Sequence, residues 1–215
     1  MNRLLLIFSL LVLSANSFSQ VKIAKLKYDG GGDWYANPSS LSNLIEFANE
    51  NIKTNISKPY DIVDINSDNI FNYPFIHMTG HGNVTFNDIQ IERLRKYLSN
   101  GGFIHIDDNY GMNRYIVEEI KKIFSNTKLR ELPASHQIFR QPFNFPNGLP
   151  KIHEHDNKPP QAFAITLKNR IVLLYTYESD LGDGWEDKNV HNDPQELRLQ
   201  ALKMGCNIIE YAFTN

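Results

Sequence analysis

The sequence predicts one α/β domain, a three-layer sandwich in which helices cover both faces of a mostly parallel sheet, with a β-hairpin added near the C-terminus. Two observations lead to this fold class. Between residues 21 and 124, strand-like runs and 3.6-residue helical periods follow in the order β-α-β-β-α-β-α. Two apolar runs, 162–167 and 171–177, then flank Lys168-Asn169, as in a hairpin. A chain of 215 residues is long enough to bury one such core.

Residues 1–19 predict a secretory signal peptide that is not part of this domain. Arg3 precedes a largely apolar run from Leu4 to Leu13, and Ser17-Phe18-Ser19 resembles a cleavage site. The run is too short to span a bilayer, and an uncleaved anchor or a buried first helix are the alternatives. No cysteine follows it, so a lipoprotein anchor is not expected. We therefore predict a periplasmic or extracellular mature domain, residues 20–215.

The composition of the mature chain excludes some partners. Only Arg3 is charged within residues 1–19, so the mature chain has 21 Lys+Arg against 24 Asp+Glu and a net charge of −3. This sequence offers no basic patch for nucleic acid, and no later stretch that predicts a stable membrane span. The single cysteine, Cys206, cannot form an intrachain disulfide and is expected to pack within the last helix.

The first half of the chain supplies the parallel strands. Val21 to Tyr28 alternates apolar residues with lysines, as a half-exposed strand does. Asn37-Pro38 and Asn113 are typical of helix starts, and Gly101-Gly102 is typical of a helix end. The predicted strands are 21–28, 60–65, 73–79 and 103–107. Three helices are predicted between them: the first begins at Asn37-Pro38, the second spans 88–98, and the third begins at Asn113.

The second half of the chain is less regular. Six prolines between residues 133 and 160 interrupt any helical period, so this segment is expected to run as loops over the sheet edge. After the hairpin comes an acidic loop, Ser179 to Asp187, which we interpret as an exposed turn, with a calcium site as the alternative. Asp193-Pro194-Gln195-Glu196 resembles a capping box before the last helix.

Two adjacent carboxylates, Asp107 and Asp108, end the buried strand 103–107. Ligand sites of open α/β sheets form at such strand ends. Adjacent strand residues point to opposite faces, so one carboxylate would accept N–H groups of the next helix while the other faces a ligand. The facing carboxylate would suit a general base, a divalent metal or sugar hydroxyls. A capping aspartate beside a solvated one is the alternative.

The loop from Gly30 to Tyr35 follows the first strand, and parallel strands would bring it to the same edge. Gly31 and Gly32 allow the backbone to approach a ligand closely. Trp34 and Tyr35 would stack on a sugar or cover the core. The loop matches neither G-x-G-x-x-G nor G-x-x-x-x-G-K-[ST], so no nucleotide site is predicted.

The histidines form a third group, because all seven lie after residue 76. His77, Thr79 and His81 share one parity and would project to one side of an extended strand. Incidental histidines in a Gly-rich turn are the alternative. His105 is expected to be a packed core residue, and His153-Glu154-His155 is only a weak signal in a loop.

Four motifs resemble a known family: Gly-Gly-Asp-Trp-Tyr at 31–35, Thr-Gly-His at 79–81, Gly-Gly-Phe-Ile-His-Ile-Asp-Asp at 101–108 and Gly-Trp-Glu at 184–186. Over nearly the whole mature chain, the sequence resembles the bacterial domain-of-unknown-function 4159 family. The resemblance implies a flavodoxin-like fold similar to class I glutamine amidotransferases and ThuA-like proteins, and it implies no assigned activity. The family's Asp-His-Pro pattern reads Ser135-His136-Gln137 here.

Glutaminase and serine-hydrolase chemistry are not predicted. The first needs a cysteine at a strand-to-helix elbow, whereas Cys206 lies in a predicted helix, and no Gly-x-Ser-x-Gly elbow occurs in the sequence. A divalent ion held by His77, His81, Asp107 and Asp108 is an alternative because it would generate hydroxide without a protein nucleophile. No metal or cofactor is predicted, however, since no H-E-x-x-H or Cys-rich spacing is present.

We predict a site at the carboxyl edge of the sheet for a small polar or carbohydrate-like ligand, with hydrolysis as one activity. A non-catalytic interaction module of the cell envelope is the alternative. The predicted catalytic residues are Asp107, Asp108 and His81, and the predicted ligand-binding residues are Gly31, Gly32, Asp33, Trp34, Tyr35, His77, His136 and Trp185.

Overall fold

The computed structural model describes residues 20–215, so the predicted signal peptide lies outside the described residues. The strands are β1 Ala24–Lys27, β2 Asp61–Asp64, β3 Phe75–Gly80, β4 Phe103–Asp108, β5 Arg130–Glu131, β6 Gln161–Leu167 and β7 Arg170–Tyr177. They form one sheet in the order β2-β1-β3-β4-β7-β6-β5. In this order the first five strands, β2, β1, β3, β4 and β7, are parallel to one another. The last two strands are antiparallel: β6 pairs with β7, and β5 pairs with β6.

Helices cover both faces of this sheet. They are α1 Ser40–Asn51, α2 Asp88–Ser99, α3 Asn113–Ile123, α4 Leu181–Trp185, α5 Lys188–His191 and α6 Gln195–Thr214. One core contains the apolar side chains of α1 and α6, and the other contains those of α2 and α3. The parallel strands follow the 2-1-3-4-5 order of flavodoxin-like folds, so the predicted fold class is confirmed. None of the described helices has the length and apolar character to cross a membrane.

Three helix caps predicted from local sequence, Asn37, Asn113 and Asp193, are wrong. Helices α1, α3 and α6 begin without a side-chain hydrogen bond from their N-cap residues. For α1, a distant carboxylate takes that place, because Glu186 Oε1 accepts the N–H of Ser40 at 2.9 Å. The sequence pattern around a helix start carries no information about a partner 146 residues away.

Trp185 anchors the long helix α6 against the sheet. Its ring is fully buried, and the indole Nε1 donates to Ala201 O at 2.8 Å. Gly205 gives the ring its space, since a Cβ there would lie 3.0 Å from two ring carbons. Cys206 is also fully buried in this helix, so its predicted packing role is confirmed.

His77 and His105 form a buried pair at the centre of the sheet, in register on β3 and β4. Their Nδ1 atoms lie 3.1 Å apart, and His105 Nε2 lies 3.0 Å from Thr176 Oγ1. Burial lowers the pKa of His105 to about 3, and burial beside His105 and Lys25 holds the pKa of His77 well below 6.5. Both rings are therefore neutral in the folded protein, with one Nδ1 donating to the other.

We expect acid to destabilise the fold through this histidine pair. In the unfolded chain both histidines protonate below about pH 6.5, whereas the folded chain keeps them neutral, so unfolding takes up protons. The contribution of the two histidines to the free energy of unfolding is complete above pH 6.5. This contribution is lost as the pH falls towards about 3, the folded pKa of His105, by up to about 1.4 kcal/mol per pH unit for each histidine.

Urea unfolding between pH 7 and pH 5 checks this expectation. The variant His105→Gln should show a shallower loss of stability than the unaltered protein, because one titrating group is gone. The ionisable groups beside the pair remain in both proteins: Lys25, and Asp107, which accepts from the Thr176 hydroxyl that also contacts His105. If the variant does not fold, imidazole NMR shifts of the unaltered protein that titrate near pH 6.5 would contradict the expectation.

Candidate ligand-binding site

The carboxyl ends of β1, β3, β4 and β7 meet at one edge of the sheet, as the sequence predicts. The loop after β1 rests on the loop after β3, where Asp33 Oδ2 lies 2.9 Å from His81 Nδ1 and Asp33 also accepts the His81 N–H. Both side chains are partly exposed. A Cβ on Gly32 would lie 2.6 Å from Asn83 O, so Gly32 serves the contact between the two loops.

Three other residues of the first loop remain near solvent. Gly31 has φ +89° and nothing within 4 Å of a Cβ position, so it is open to approach. Tyr35 is 66% exposed. Trp34 is partly buried against the α2 and α3 core, and its ring meets Tyr35 edge-on at 5.7 Å.

Asp107 and Asp108 point to opposite faces of β4. Asp108 Oδ1 accepts the N–H groups of Tyr110 and Met112, and Oδ2 accepts the Asn113 N–H, all at 2.9 Å. The Tyr175 hydroxyl also donates to Asp108 Oδ2, at 3.2 Å. Burial raises the pKa of Asp108, and these hydrogen bonds oppose the rise. Asp108 thus caps α3 in place of the predicted Asn113.

Asp107 is fully buried on the other face. The Thr176 hydroxyl donates to its Oδ1, and the Gly182 N–H donates to Oδ2 at 2.6 Å. Burial raises the pKa of Asp107 to about 7 against these two hydrogen bonds, and the charges of Asp180 and Asp183 add to the rise. A carboxyl with a pKa near 7 would suit acid–base chemistry. The side chain has no exposed surface, however, and contacts other parts of the fold.

The acidic segment after β7, predicted as an exposed turn, is buried. All five residues of α4 are buried, as are Asp180 and Glu186 on either side of it. The prediction fails because Trp185 enters the core while Glu186 accepts the first N–H groups of α1. Trp185 was also predicted to bind the ligand, but it has no exposed surface.

His153 lies between the carboxylates of this segment. Its Nδ1 is 3.0 Å from Asp183 Oδ2 and 3.4 Å from Asp180 Oδ2, and its Nε2 is 2.9 Å from Asp193 Oδ1. Hydrogen bonds to Asp180, Asp183 and Asp193 raise the pKa of His153 to about 11. Burial alone would raise the pKa of Asp183, but its bonds to His153 and Asn37 lower it. Both histidines of the His153-Glu154-His155 segment, a weak signal in the sequence, therefore lie against buried carboxylates.

A polar cleft of about 390 Å³ lies between the β4 and β7 ends. Tyr110 forms one wall, 49% exposed, with its ring stacked 4.5 Å from that of His155. The other polar lining residues include Asp108, Arg114, Asp156, Lys158 and Glu178. A larger, more apolar cavity of about 610 Å³ between α3 and the hairpin adjoins the cleft through Asn113 and Tyr177.

Two predicted ligand-binding histidines lie away from this cleft. His77 has no exposed surface, because its position in the middle of β3 places it under Trp185 and beside His105. His136 packs 5.8 Å from the ring of Tyr211, which itself contacts Phe103 at the opposite end of β4. Sequence reasoning missed Tyr110, although it follows the strand end at Asp108, and Lys158, which lies in a loop without a periodic pattern.

The fold and this edge together define a flavodoxin-like α/β domain with a candidate ligand cleft at the carboxyl ends of its parallel strands. The sequence pattern of the family described as Domain of unknown function (DUF4159) matches residues 22–213, and the chain belongs to that family. No curated protein matches the chain significantly. The similarity in fold to glutamine amidotransferases and ThuA-like proteins stays a prediction.

We expect the variant Asp108→Ala to lose about 2–4 kcal/mol of stability, because it leaves three backbone N–H groups at the start of α3 without their acceptor. Urea unfolding at pH 7 measures this loss. The control is Asp68→Ala, which removes a 92% exposed carboxylate paired with Arg93, and it should leave the unfolding midpoint unchanged. Equal midpoints for the two variants would rule out the capping role.

Proposed function

We propose that this domain binds a small polar ligand of the carbohydrate class in the cleft beside Tyr110. The observation that carries the proposal is the position of Tyr110, an exposed aromatic residue held in a strained backbone conformation at the carboxyl edge of a parallel sheet. The cleft volume of about 390 Å³ falls in the range of small-molecule sites, which is roughly 300–1,000 Å³.

The backbone of Tyr110 supports a functional role. Its φ of +109° is unfavourable for a bulky residue and persists only where surrounding contacts impose it. Asp108 accepts the Tyr110 N–H, and the Tyr110 hydroxyl lies 3.2 Å from Asp156 Oδ1. One side of the ring packs on His155. An exposed, fixed aromatic ring is the surface on which a sugar ring stacks.

The charges around the cleft favour a hydroxyl-rich ligand over a strongly ionic one. Arg114 and Lys158 offer donors, while Asp156 and Glu178 offer acceptors. Lys158 Nζ lies 3.2 Å from Asp156 Oδ2 and 3.0 Å from the Tyr177 hydroxyl, so hydrogen-bond donors and acceptors lie side by side in the wall. Sugar hydroxyls donate and accept at once, which matches this mixed lining.

Hydrolysis by Asp107, Asp108 and His81 has weaker support than binding. Asp107 is fully buried, and Asp108 already accepts four hydrogen bonds. His81 pairs with Asp33 at the other side of the edge. These contacts favour the alternative of a non-catalytic module of the cell envelope, in which the cleft recognises a glycan without cleaving it.

We expect Tyr110→Ala to weaken binding of a cleft ligand at least tenfold while the melting temperature stays unchanged. The loss follows from removing the stacking surface, and the stable fold follows from the exposure of this side chain. NMR titration of the mature protein with neutral oligosaccharides and peptidoglycan fragments identifies the ligand and measures its dissociation constant.

Two further variants locate the ligand. Phe71→Ala removes an exposed aromatic side chain beside Lys96, outside the cleft, and should leave binding unchanged. Tyr35→Ala tests the predicted first loop. Loss of binding in Tyr35→Ala with none in Tyr110→Ala would place the ligand between β1 and β3 and overturn the cleft assignment.

We also propose that the protein acts outside the cytoplasm. The pattern of residues 1–19 supports this, with a positive Arg3, an apolar run from Leu4 to Leu13 and the Ser17-Phe18-Ser19 cleavage site. Mass spectrometry of the native protein should give a mature N-terminus at Gln20. An intact Met1 terminus on protein from the cytosolic fraction would contradict the proposal.

A further inference from the structure

Histidine nitrogens and carboxylate oxygens converge beside α4. The donor atoms of His153, Asp183 and His191 lie within 4.8 Å of one another. His153 Nδ1 is 3.0 Å from Asp183 Oδ2, and His191 Nε2 is 3.7 Å from Asp183 Oδ1. Asp180 Oδ2 lies 3.4 Å from His153 Nδ1. Donor atoms about 2.0–2.2 Å from one tetrahedral zinc ion would be about 3.3–3.6 Å apart, and the two histidine nitrogens lie at 3.0 and 3.7 Å from the two oxygens of Asp183.

The candidate ligands His153 and Asp183 are themselves oriented by hydrogen bonds, as metal ligands are. His153 Nε2 lies 2.9 Å from Asp193 Oδ1, so the ring can donate from that nitrogen while Nδ1 faces the cluster. A carboxylate behind a histidine in this way fixes its orientation and its tautomer in metal sites. The amides of Asn37 and Asn109 donate to Asp183 Oδ1 at 2.6 and 3.1 Å, which fixes this carboxylate as well.

One carboxylate of the cluster lacks a complete set of partners. The Asp180 side chain is fully buried, and among the described residues its Oδ1 has no hydrogen-bond partner. A buried carboxylate oxygen without a partner is costly. Its Oδ2 contacts His153 and His155, so this carboxylate borders the cluster. The carboxylates of Asp180, Asp183 and Asp193 therefore lie at close range to the imidazoles of His153, His155 and His191.

We propose that His153, Asp183 and His191 form a binding site for a divalent transition-metal ion, with zinc as the best-suited ion and Asp180 beside the site. Two nitrogen ligands and one carboxylate ligand suit zinc, whereas calcium requires six to eight oxygen ligands. The His153 and His191 side chains are 23% and 32% exposed, so an ion can reach the site from solvent. The site does not depend on the identity of the ligand in the Tyr110 cleft.

Equilibrium dialysis of untagged mature protein against zinc, followed by elemental analysis, tests the proposal. We expect one equivalent of bound zinc and a rise in melting temperature that saturates with zinc concentration. His153→Ala and His191→Ala should each weaken zinc binding at least tenfold. Asp193→Asn, which removes the carboxylate behind His153, should weaken it about 10- to 100-fold.

The matched control is His136→Ala, because His136 is a partly exposed histidine remote from the cluster. It should bind zinc as the unaltered protein does. If His153→Ala fails to fold, His191→Ala decides, since its side chain lies in a short exposed helix. Zinc below about a tenth of an equivalent, unchanged binding in His191→Ala, or an equal melting shift with calcium would each overturn the site.

Discussion

The contact between the segment after β7 and the start of α1 organises the carboxyl edge of the sheet. Trp185 fills the space between α6 and the buried histidine pair, while Glu186 accepts the first N–H groups of α1. Asp183 accepts from the amide of Asn37. About 146 residues separate the two sides, so a long loop closes at this point, and burial of a whole indole offsets the entropy of closure.

The same contact brings charged groups into the protein interior, where charges are costly unless they are paired. Lys25 is almost fully buried, and its Nζ donates to Ala36 O at 2.7 Å and Asn37 O at 2.9 Å. Burial lowers the pKa of Lys25 to about 8, while Glu186 opposes the fall. Lys25 therefore fixes the backbone carbonyls of residues 36 and 37, and the Asn37 side chain positions the carboxylate of Asp183.

His155 connects the two candidate sites at this edge. Its Nε2 contacts Asp180 beside the proposed metal site, and its ring stacks on Tyr110 in the cleft. An ion bound by the cluster would thus lie one side chain away from the ligand surface.

The sequence by itself determined the sheet and its helices, because apolar periods of two and 3.6 residues reflect which side of each element faces the core. It also determined that Asp107 and Asp108 diverge, since strand parity is local. It gave the wrong caps for α1, α3 and α6 and the wrong exposure for the 179–187 segment. Only the tertiary structure decided the caps and the burial of this segment, because the partner groups come from distant parts of the chain. Glu186, for example, accepts the first N–H groups of α1. The grouping of His153 and His191 around Asp183 was decided in the same way, because a loop and two short helices from separate parts of the chain meet there.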